Sequence, residues 1–311
     1  MIDLARAIKE EAARQGFLLC GITTPDPPPH LAAFTQWLAD GRHASMQYLA
    51  EDRSIARRSD PRLILPDCKA ILVLGIPYAD PRSIPPDPNR GRVAAYAWGD
   101  DYHLVLPNRL KAIIQFIEAK VEHPVVNRWY TDTGAILERD LAQRAGLGWI
   151  GKNSCLINPR RGSYFFLAEI LLDLDLPIDQ PFTTDHCGTC TRCINACPTQ
   201  AIKNDRMLDA RQCISFLTIE NKNEIPAHLQ ASIGNWVFGC DICQTVCPWN
   251  RFAGEPDPAF APRENIPSPN LIEEINLTPQ DFNKKFKDSP VQRAKHRGYL
   301  RNVEAVRNNE R

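Results

Sequence analysis

Eight cysteines between positions 187 and 247 are the residues best suited to chemistry. Cys187-Gly-Thr-Cys190-Thr-Arg-Cys193-Ile-Asn-Ala-Cys197-Pro198 is a C-x2-C-x2-C-x3-C-P run, and Cys240-Asp-Ile-Cys243-Gln-Thr-Val-Cys247-Pro248 is C-x2-C-x3-C-P. Thiolate sulfur is the usual ligand of iron–sulfur clusters. In this bacterial ferredoxin rhythm three closely spaced cysteines wrap one cluster, and the fourth, before proline, ligates the other. The second run lacks one cysteine at its start, and Cys213 is the candidate to supply it. The expected ligands are therefore Cys187, Cys190, Cys193 and Cys247 for one 4Fe–4S cluster (cluster 1), and Cys197, Cys213, Cys240 and Cys243 for the other (cluster 2). Structural zinc also uses C-x2-C pairs, but it has no use for the x2, x2, x3 rhythm ending in proline. Disulfides fit poorly with a 311-residue chain whose N-terminus is an amphipathic helix pattern rather than a secretory signal.

Two clusters make an electron relay, which needs a terminal acceptor: a partner protein, if the chain is only a carrier, or a redox centre in the rest of the chain. No Gly-x-Gly-x-x-Gly follows a strand, so a dinucleotide site is not supported. Asp101-Tyr-His103 begins like Asp-x-His-x-x-Gly, but Leu106 stands where the glycine would be. Asp132 lies between a strand and a helix, where aspartate is most often an N-cap. Thr133 is equally able to cap, which frees Asp132 to act as a proton donor if burial holds its carboxyl protonated. Gly148-Trp-Ile-Gly-Lys152-Asn153-Ser154 is a tight turn with a cation and two hydrogen-bonding side chains, either a surface turn or a grip on a polar group. Cys20, Cys68 and Cys155 read as buried, unreactive thiols, and His103 as a packing residue.

The elements that must position these residues follow from periodicity. Ile2 to Ala12 reads as a helix stopped by Gly16, and Phe17 to Ile22 as a short strand. Asp26-Pro-Pro-Pro-His30 is a turn, and the stretch from Arg53 to Arg62 is basic, either a solvated helix end or a hold on an anionic group. Ala70 to Ile76 is the clearest strand, apolar enough to be buried on both faces, and the five prolines from Pro77 to Pro88 make a loop. A long helix is expected through Leu104, Leu110, Ile113, Ile114 and Ile117. Strands are expected at Val125–Tyr130 and Tyr164–Leu172, with a helix through Leu137, Leu141 and Ala145 that ends at Gly146. Periodicity alone does not choose between α/β and α+β for residues 1 to about 180.

The cluster region, 181–252, reads as a small unit whose fold is set by metal in place of an apolar core. Glu255 to Pro269 reads as an extended proline-rich linker. Residues 284–311 carry nine Lys or Arg against three acidic residues, a basic tail hidden by a formal net charge of +0. Such a tail is either a solvated helix or a contact for a phosphate-bearing partner. No apolar run approaches the roughly 18 residues of a membrane span, and a reducing, cytoplasmic setting is expected.

Taken together, the motifs resemble the epoxyqueuosine reductases, iron–sulfur and cobalamin enzymes of the last step of queuosine synthesis in tRNA. The resemblance is carried by Tyr96-Ala-Trp-Gly-Asp-Asp-Tyr-His103, Asp132-Thr-Gly-Ala-Ile-Leu-Glu-Arg139 and Ala145-Gly-Leu-Gly-Trp-Ile-Gly-Lys-Asn153. Both cysteine runs continue it, and Ser289-Pro-Val-Gln-Arg-Ala-Lys-His-Arg-Gly-Tyr-Leu-Arg-Asn302 ends it. It implies an α+β fold: a nitroreductase-like, cobalamin-binding domain over residues 1–180, a two-cluster ferredoxin-like domain over 181–252, and a linker with a basic extension over 253–311. It implies reductive removal of the epoxide oxygen of epoxyqueuosine in tRNA, with electrons from an external flavodoxin- or ferredoxin-type donor passing through the clusters to cobalamin. Asp132 aligns with the proposed proton donor. Arg57, Tyr96 and Ala97 match cobalamin contacts, and Lys152, Asn153 and Ser154 are expected to join them. The tRNA substrate gives Arg293, Lys295 and Arg297 a purpose as phosphate contacts. A monomer acting away from membranes is expected; a two-cluster carrier and a reductive dehalogenase-like corrinoid enzyme are the alternatives.

Overall fold

The computed structural model describes residues 2–83, 87, 89–204 and 206–309. Pro85, Pro86 and Pro88 of the expected loop lie outside them. The first part of the chain runs α1 (Ile2–Arg14), β1 (Leu19–Thr23), α2 (Leu31–Ala39), α3 (Asp52–Ser59), β2 (Ala70–Pro77), β3 (Arg92–Val93) and α4 (Tyr102–Val121). It continues with β4 (Asn127–Tyr130), α5 (Glu138–Arg144), the β5–β6 ribbon (Trp149–Ile150 with Leu156–Ile157) and β7 (Phe165–Leu172).

β1, β2, β7 and β4 form one sheet in that order, and every neighbouring pair is antiparallel. Residues 1–180 are thus α+β. β2 is nonetheless buried along all but its last residue, because both faces of the sheet are covered. Ala70, Leu72, Leu74 and Ile76 point to the main core with α1 and α4, while Ile71 and Val73 point to a second core with Leu141 and Ala142 of α5 and Ala145 just after it. The period-2 alternation of a strand therefore feeds two apolar layers at once. Gly21 marks how closely β1 passes α5: a Cβ there would lie 2.1 Å from the Ala145 carbonyl oxygen. α4 turns slightly from its expected face, since Leu106 is fully buried and Leu104 is 56% exposed.

α6 (Arg192–Ala196), α7 (Ile214–Ile219), α8 (Ala227–Gln230), β8 (Trp236–Phe238) and α9 (Ile242–Thr245) follow. This region differs from the expectation of a unit whose fold is set largely by metal in place of a core. Ile214, Leu217, Ile233, Val237 and Phe238 are buried in the same core as the main sheet, and β8 pairs in parallel with β3. Metal ligation fixes the cysteine loops, but Ile214-Ser-Phe-Leu-Thr-Ile219 and Trp236-Val-Phe238 are apolar enough to bury by the ordinary hydrophobic effect.

The C-terminal region is likewise folded in. α10 (Leu271–Glu274), α11 (Pro279–Lys285) and α12 (Lys295–Asn309) bring Leu271, Phe282, Phe286, Tyr299, Val303 and Val306 into the main core. The expected linker lies along the body, with Phe260 and Ile266 buried and Asp257 paired to Arg109 at 2.7 Å. α12 is locked by Asn302, whose amide donates to the carbonyls of Thr218 at 2.7 Å and Val237 at 2.9 Å. Several cations of the basic count are consumed here. Arg301 caps the Leu217 carbonyl at 2.8 Å, and Lys285 pairs with the buried Glu274. A charge count cannot separate such inward-facing cations from solvated ones. Among the described residues no helix is long and apolar enough to cross a membrane.

Candidate functional site

The eight cysteines are free thiols of intermediate exposure. Burial first, then Cys187, Cys247 and Cys190, pushes the Cys193 thiol up to about 11. Burial, then Cys213 and Cys197, pushes Cys240 well above its ordinary value, and Cys243 feels Cys240 and Cys213 in turn. Cys193 thus lies near Cys187, Cys190 and Cys247, and Cys240 near Cys197 and Cys213, the neighbours that a crossed pair of clusters would need. The crossing is built by two short helices: α6 runs from Cys193 toward Cys197, and α9 from Cys243 toward Cys247. Each of those last two cysteines adopts an extended conformation before its proline, as the residue before proline must. Among the described residues no three Cys, His, Asp or Glu side chains converge tightly enough for a single metal ion.

Backbone and ring N–H groups reach the sulfurs. Trp149 Nε1 lies 3.4 Å from Cys187 Sγ, and the Ala201 amide lies 3.3 Å from Cys197 Sγ. Such hydrogen bonds tune cluster potentials. The second group faces the main sheet. Asp241, between Cys240 and Cys243, accepts the Ala95 amide at 2.7 Å, and burial raises its carboxyl to about 6. Phe238 packs on Tyr96, and Cys155 interacts directly with Cys243. Cys155 is therefore part of the cluster 2 surroundings rather than an isolated thiol.

Asp132 stands beyond β4 with φ +62, a backbone conformation that non-glycine residues seldom adopt. It caps no helix, because α5 begins only at Glu138 and Leu137 occupies its N-cap position. Its backbone is fixed instead by Glu138, whose Oε1 accepts the Asp132 amide at 2.6 Å. The carboxyl is 53% exposed, with two donors on Oδ2: the Tyr102 hydroxyl at 2.8 Å and Arg293 Nη1 at 3.1 Å. Burial first, and then the Asp132 charge, raises the Tyr102 pKa well above that of a free phenol, so its proton stays available to donate. Arg293 lies 5.3 Å above the Tyr102 ring, and its other terminal nitrogen is 2.7 Å from His103 Nε2. His103 Nδ1 lies 2.9 Å from Asp101 Oδ1, so the imidazole bridges Asp101 and Arg293.

Beneath this surface lie two more carboxyls. Glu169 of β7 is completely buried, on the sheet face that meets α5, and neither of its oxygens has a partner of good hydrogen-bond geometry. Burial and the neighbouring Glu138 push its pKa well above the usual carboxylate range. Burial, then the Asp132 charge, raises Glu138 to about 7, although part of its surface still meets water. The Glu138–Glu169 pair acts on both groups without the geometry of a satisfied hydrogen bond, so burial is the main cause that favours the neutral form of Glu169.

The remaining expected residues are distributed around this site. Tyr96 packs edge-on to Tyr102 at 6.4 Å, and Ala97 is fully buried behind it. Arg57 sits on α3, next to Arg58, which feels the charge of Glu138, and Arg57 has no hydrogen-bond or ion-pair partner among the described residues. Asn153 is buried with its side-chain nitrogen unpartnered, while its Oδ1 accepts the Cys155 amide at 3.2 Å. Lys152 is spent on the cluster 1 loop, donating to the Gly188 carbonyl at 2.6 Å and the Cys190 carbonyl at 3.0 Å. Ser154, with φ +63, donates to the Arg206 carbonyl at 3.4 Å. Arg293 is held inside the site at Asp132, whereas Lys295 and Arg297 are exposed on α12. Sequence reasoning missed Tyr102, Glu138 and Glu169. The available signal was Glu169 itself, the lone charge in Phe-Phe-Leu-Ala-Glu-Ile-Leu-Leu.

Residues 58–133 match the family described as "Epoxyqueuosine reductase QueG, DUF1730", and residues 186–250 match "4Fe-4S double cluster binding domain". Two 4Fe–4S clusters accordingly belong to this chain. It is 40% identical to an epoxyqueuosine reductase of Cyclobacterium marinum over 97% of this chain and 96% of that one. It is 42% identical to one of Xanthomonas campestris over 97% of this chain and 85% of that one. A crystal structure of epoxyqueuosine reductase with an epoxyqueuosine-modified tRNA-Tyr stem loop superimposes with a TM-score of 0.89 at 32% identity, covering 98% of this chain and 80% of that one. The chain belongs to the epoxyqueuosine reductase family.

Proposed function

We propose that the chain reduces epoxyqueuosine to queuosine within tRNA. The substrate gains two electrons and two protons, loses its epoxide oxygen as water, and gains a carbon–carbon double bond. One observation carries the reading: a half-exposed carboxyl, Asp132, is held by Tyr102 and Arg293, and Tyr102 connects through Tyr96 to Phe238, two residues before Cys240 of the double-cluster region.

When bound, cobalamin supplies low-potential cobalt chemistry and the clusters supply single electrons. Two groups suit a corrinoid: the unpartnered buried amide nitrogen of Asn153 and the unpaired guanidinium of Arg57 match its amide-rich periphery. Tyr96, Ala97 and Ser154 complete the contact set, while Lys152 serves it indirectly by fixing the cluster 1 loop. Asp132 delivers a proton to the departing oxygen. Tyr102 and Arg293 orient that carboxyl, and its exposed face takes the replacement proton from solvent. Lys295 and Arg297 contact tRNA phosphates, which set the position of the stem while the base enters the site. The parts are a catalytic domain over 1–180, a two-cluster domain over 181–252 and a C-terminal segment over 253–311 that completes the site. The protein acts as a monomer in the cytoplasm, where its tRNA substrate resides, and takes electrons from a flavodoxin- or ferredoxin-type donor.

Anaerobic incubation with epoxyqueuosine-containing tRNA and a strong reductant, followed by nucleoside mass analysis, tests the reading. Queuosine should appear. A two-cluster carrier would hold iron and sulfide, bind no corrinoid and leave the nucleoside unchanged.

A further inference from the structure

We propose that the shallow basic recess beside Cys247 is the docking surface for the acidic one-electron carrier protein, and that electrons come in there. The inference rests on the two-cluster reading above and adds where the partner sits. The recess encloses about 750 Å³ and is lined by Arg82, Arg192, Asn195, Cys247, Pro248 and Arg251 among others. It touches the chain at a ligand of cluster 1, so a partner seated in it is close to that cluster's sulfurs.

Three observations favour this face. Its charge is uncompensated: Arg82 is paired with Asp80, but Arg192 and Arg251 are exposed and make no ion pair among the described residues. The surface beside it is apolar and aromatic. Phe252 is 39% exposed, lies under the Arg251 guanidinium at 4.5 Å, and packs on Trp249. Trp249 in turn meets Trp149, which donates to Cys187. A positive rim around an exposed aromatic suits the small, charge-steered interface of a transient redox pair. Finally, the two thiol groups differ in position. Cluster 2 is the one joined to the Asp132 side through Cys155, Asp241 and the Phe238–Tyr96 contact. Cluster 1 is left to face the recess, which gives the relay a direction: recess, cluster 1, cluster 2, site.

Each docking event moves one electron. The carrier is oxidised by one electron, cluster 1 is reduced by one, and no atom or proton crosses the interface.

The test uses the holoenzyme carrying Arg192→Glu and Arg251→Glu, with a flavodoxin as the probe. At low ionic strength the flavodoxin Kd should rise about tenfold or more, and the difference should shrink as salt screens it. Iron content, the affinity for epoxyqueuosine tRNA and turnover driven by dithionite should match the unaltered protein. An unchanged flavodoxin Kd overturns the proposal. So does a weakened tRNA affinity, which makes the recess a nucleic-acid contact. If the reversed variant loses iron, Arg192→Gln with Arg251→Gln replaces it and should raise the Kd about threefold; no change there also overturns the proposal. Failure of the unaltered protein to convert tRNA with dithionite would instead count against the proposed function, and the flavodoxin Kd would still report on the surface.

Discussion

Arg293 and Asp132, 161 positions apart in the chain, meet in a hydrogen bond of 3.1 Å from Nη1 to Oδ2. The contact joins the C-terminal segment to the loop after β4, so the candidate acid is positioned by a residue from the opposite end of the fold. Asp132 also holds a positive φ, and Glu138 supports that backbone from below. The carboxyl is thus aimed by three groups, from α4, α5 and the turn before α12.

Arg293 should matter for turnover more than for tRNA affinity. Arg293→Gln removes the charge that orients Asp132 and should lower kcat about 10- to 100-fold, with tRNA Kd changing by less than about twofold. Arg293→Lys should recover only part of the loss, since it cannot bond Asp132 and His103 through one planar fork. Steady-state kinetics and a binding titration on the same variants separate the two effects.

The exposed cations behave differently. Lys295→Ala with Arg297→Ala should weaken tRNA binding and reduce the slope of log affinity against log salt by about 1 to 2. Turnover at saturating tRNA should be preserved. An unchanged slope would remove this part of α12 from the tRNA contact.

The buried carboxyls set a pH dependence. Glu138 is raised to about 7 from 4.5, so between those values the folded protein holds a proton that the unfolded chain releases. Stability from this group is fully present below about 4.5 and is lost as pH rises through about 7. Glu138→Gln keeps an acceptor for the Asp132 amide and removes the ionisation. It should leave stability at pH 5 little changed and gain roughly 1–2 kcal/mol at pH 8, measured by denaturant unfolding across that range. Glu169 is shifted in the same direction by burial, so its replacement by Gln should act with the same sign.

Trp149 should tune one cluster only. Trp149→Phe keeps the ring packing on Trp249 and loses the N–H directed at Cys187. A donor to sulfur stabilises the reduced, more negative cluster, so its loss should lower the cluster 1 potential by something on the order of tens of millivolts. A redox titration followed by paramagnetic resonance should show one potential moved and the other in place.

The cysteine array was legible because its information is local: ligand spacing and the following prolines fix which sulfur crosses, and Cys213 alone could complete the second group. Asp132 stood out through the family motif rather than through local capping, since α5 begins only at Glu138 and neither Asp132 nor Thr133 caps it. Arg293 was visible only as one of nine basic residues, because nothing in a charge count says which cation turns inward to meet a carboxyl 161 positions away. The C-terminal segment was read as linker and tail since its prolines dominate. Yet Phe260, Phe282 and Phe286 supply a face that finds the core only in three dimensions. Glu138 and Glu169 escaped because their pairing depends on α5 lying across the sheet, a packing relation that neither local sequence records.

The central claim is that Asp132 delivers the proton in epoxide removal. The direct measurement is single-turnover conversion of epoxyqueuosine tRNA by the Asp132→Asn holoenzyme, with iron and corrinoid quantified in the same sample. The account predicts that both cofactors stay bound, tRNA affinity persists and queuosine formation falls by about 100-fold or more. Conversion at the unaltered rate with full cofactor content would contradict it.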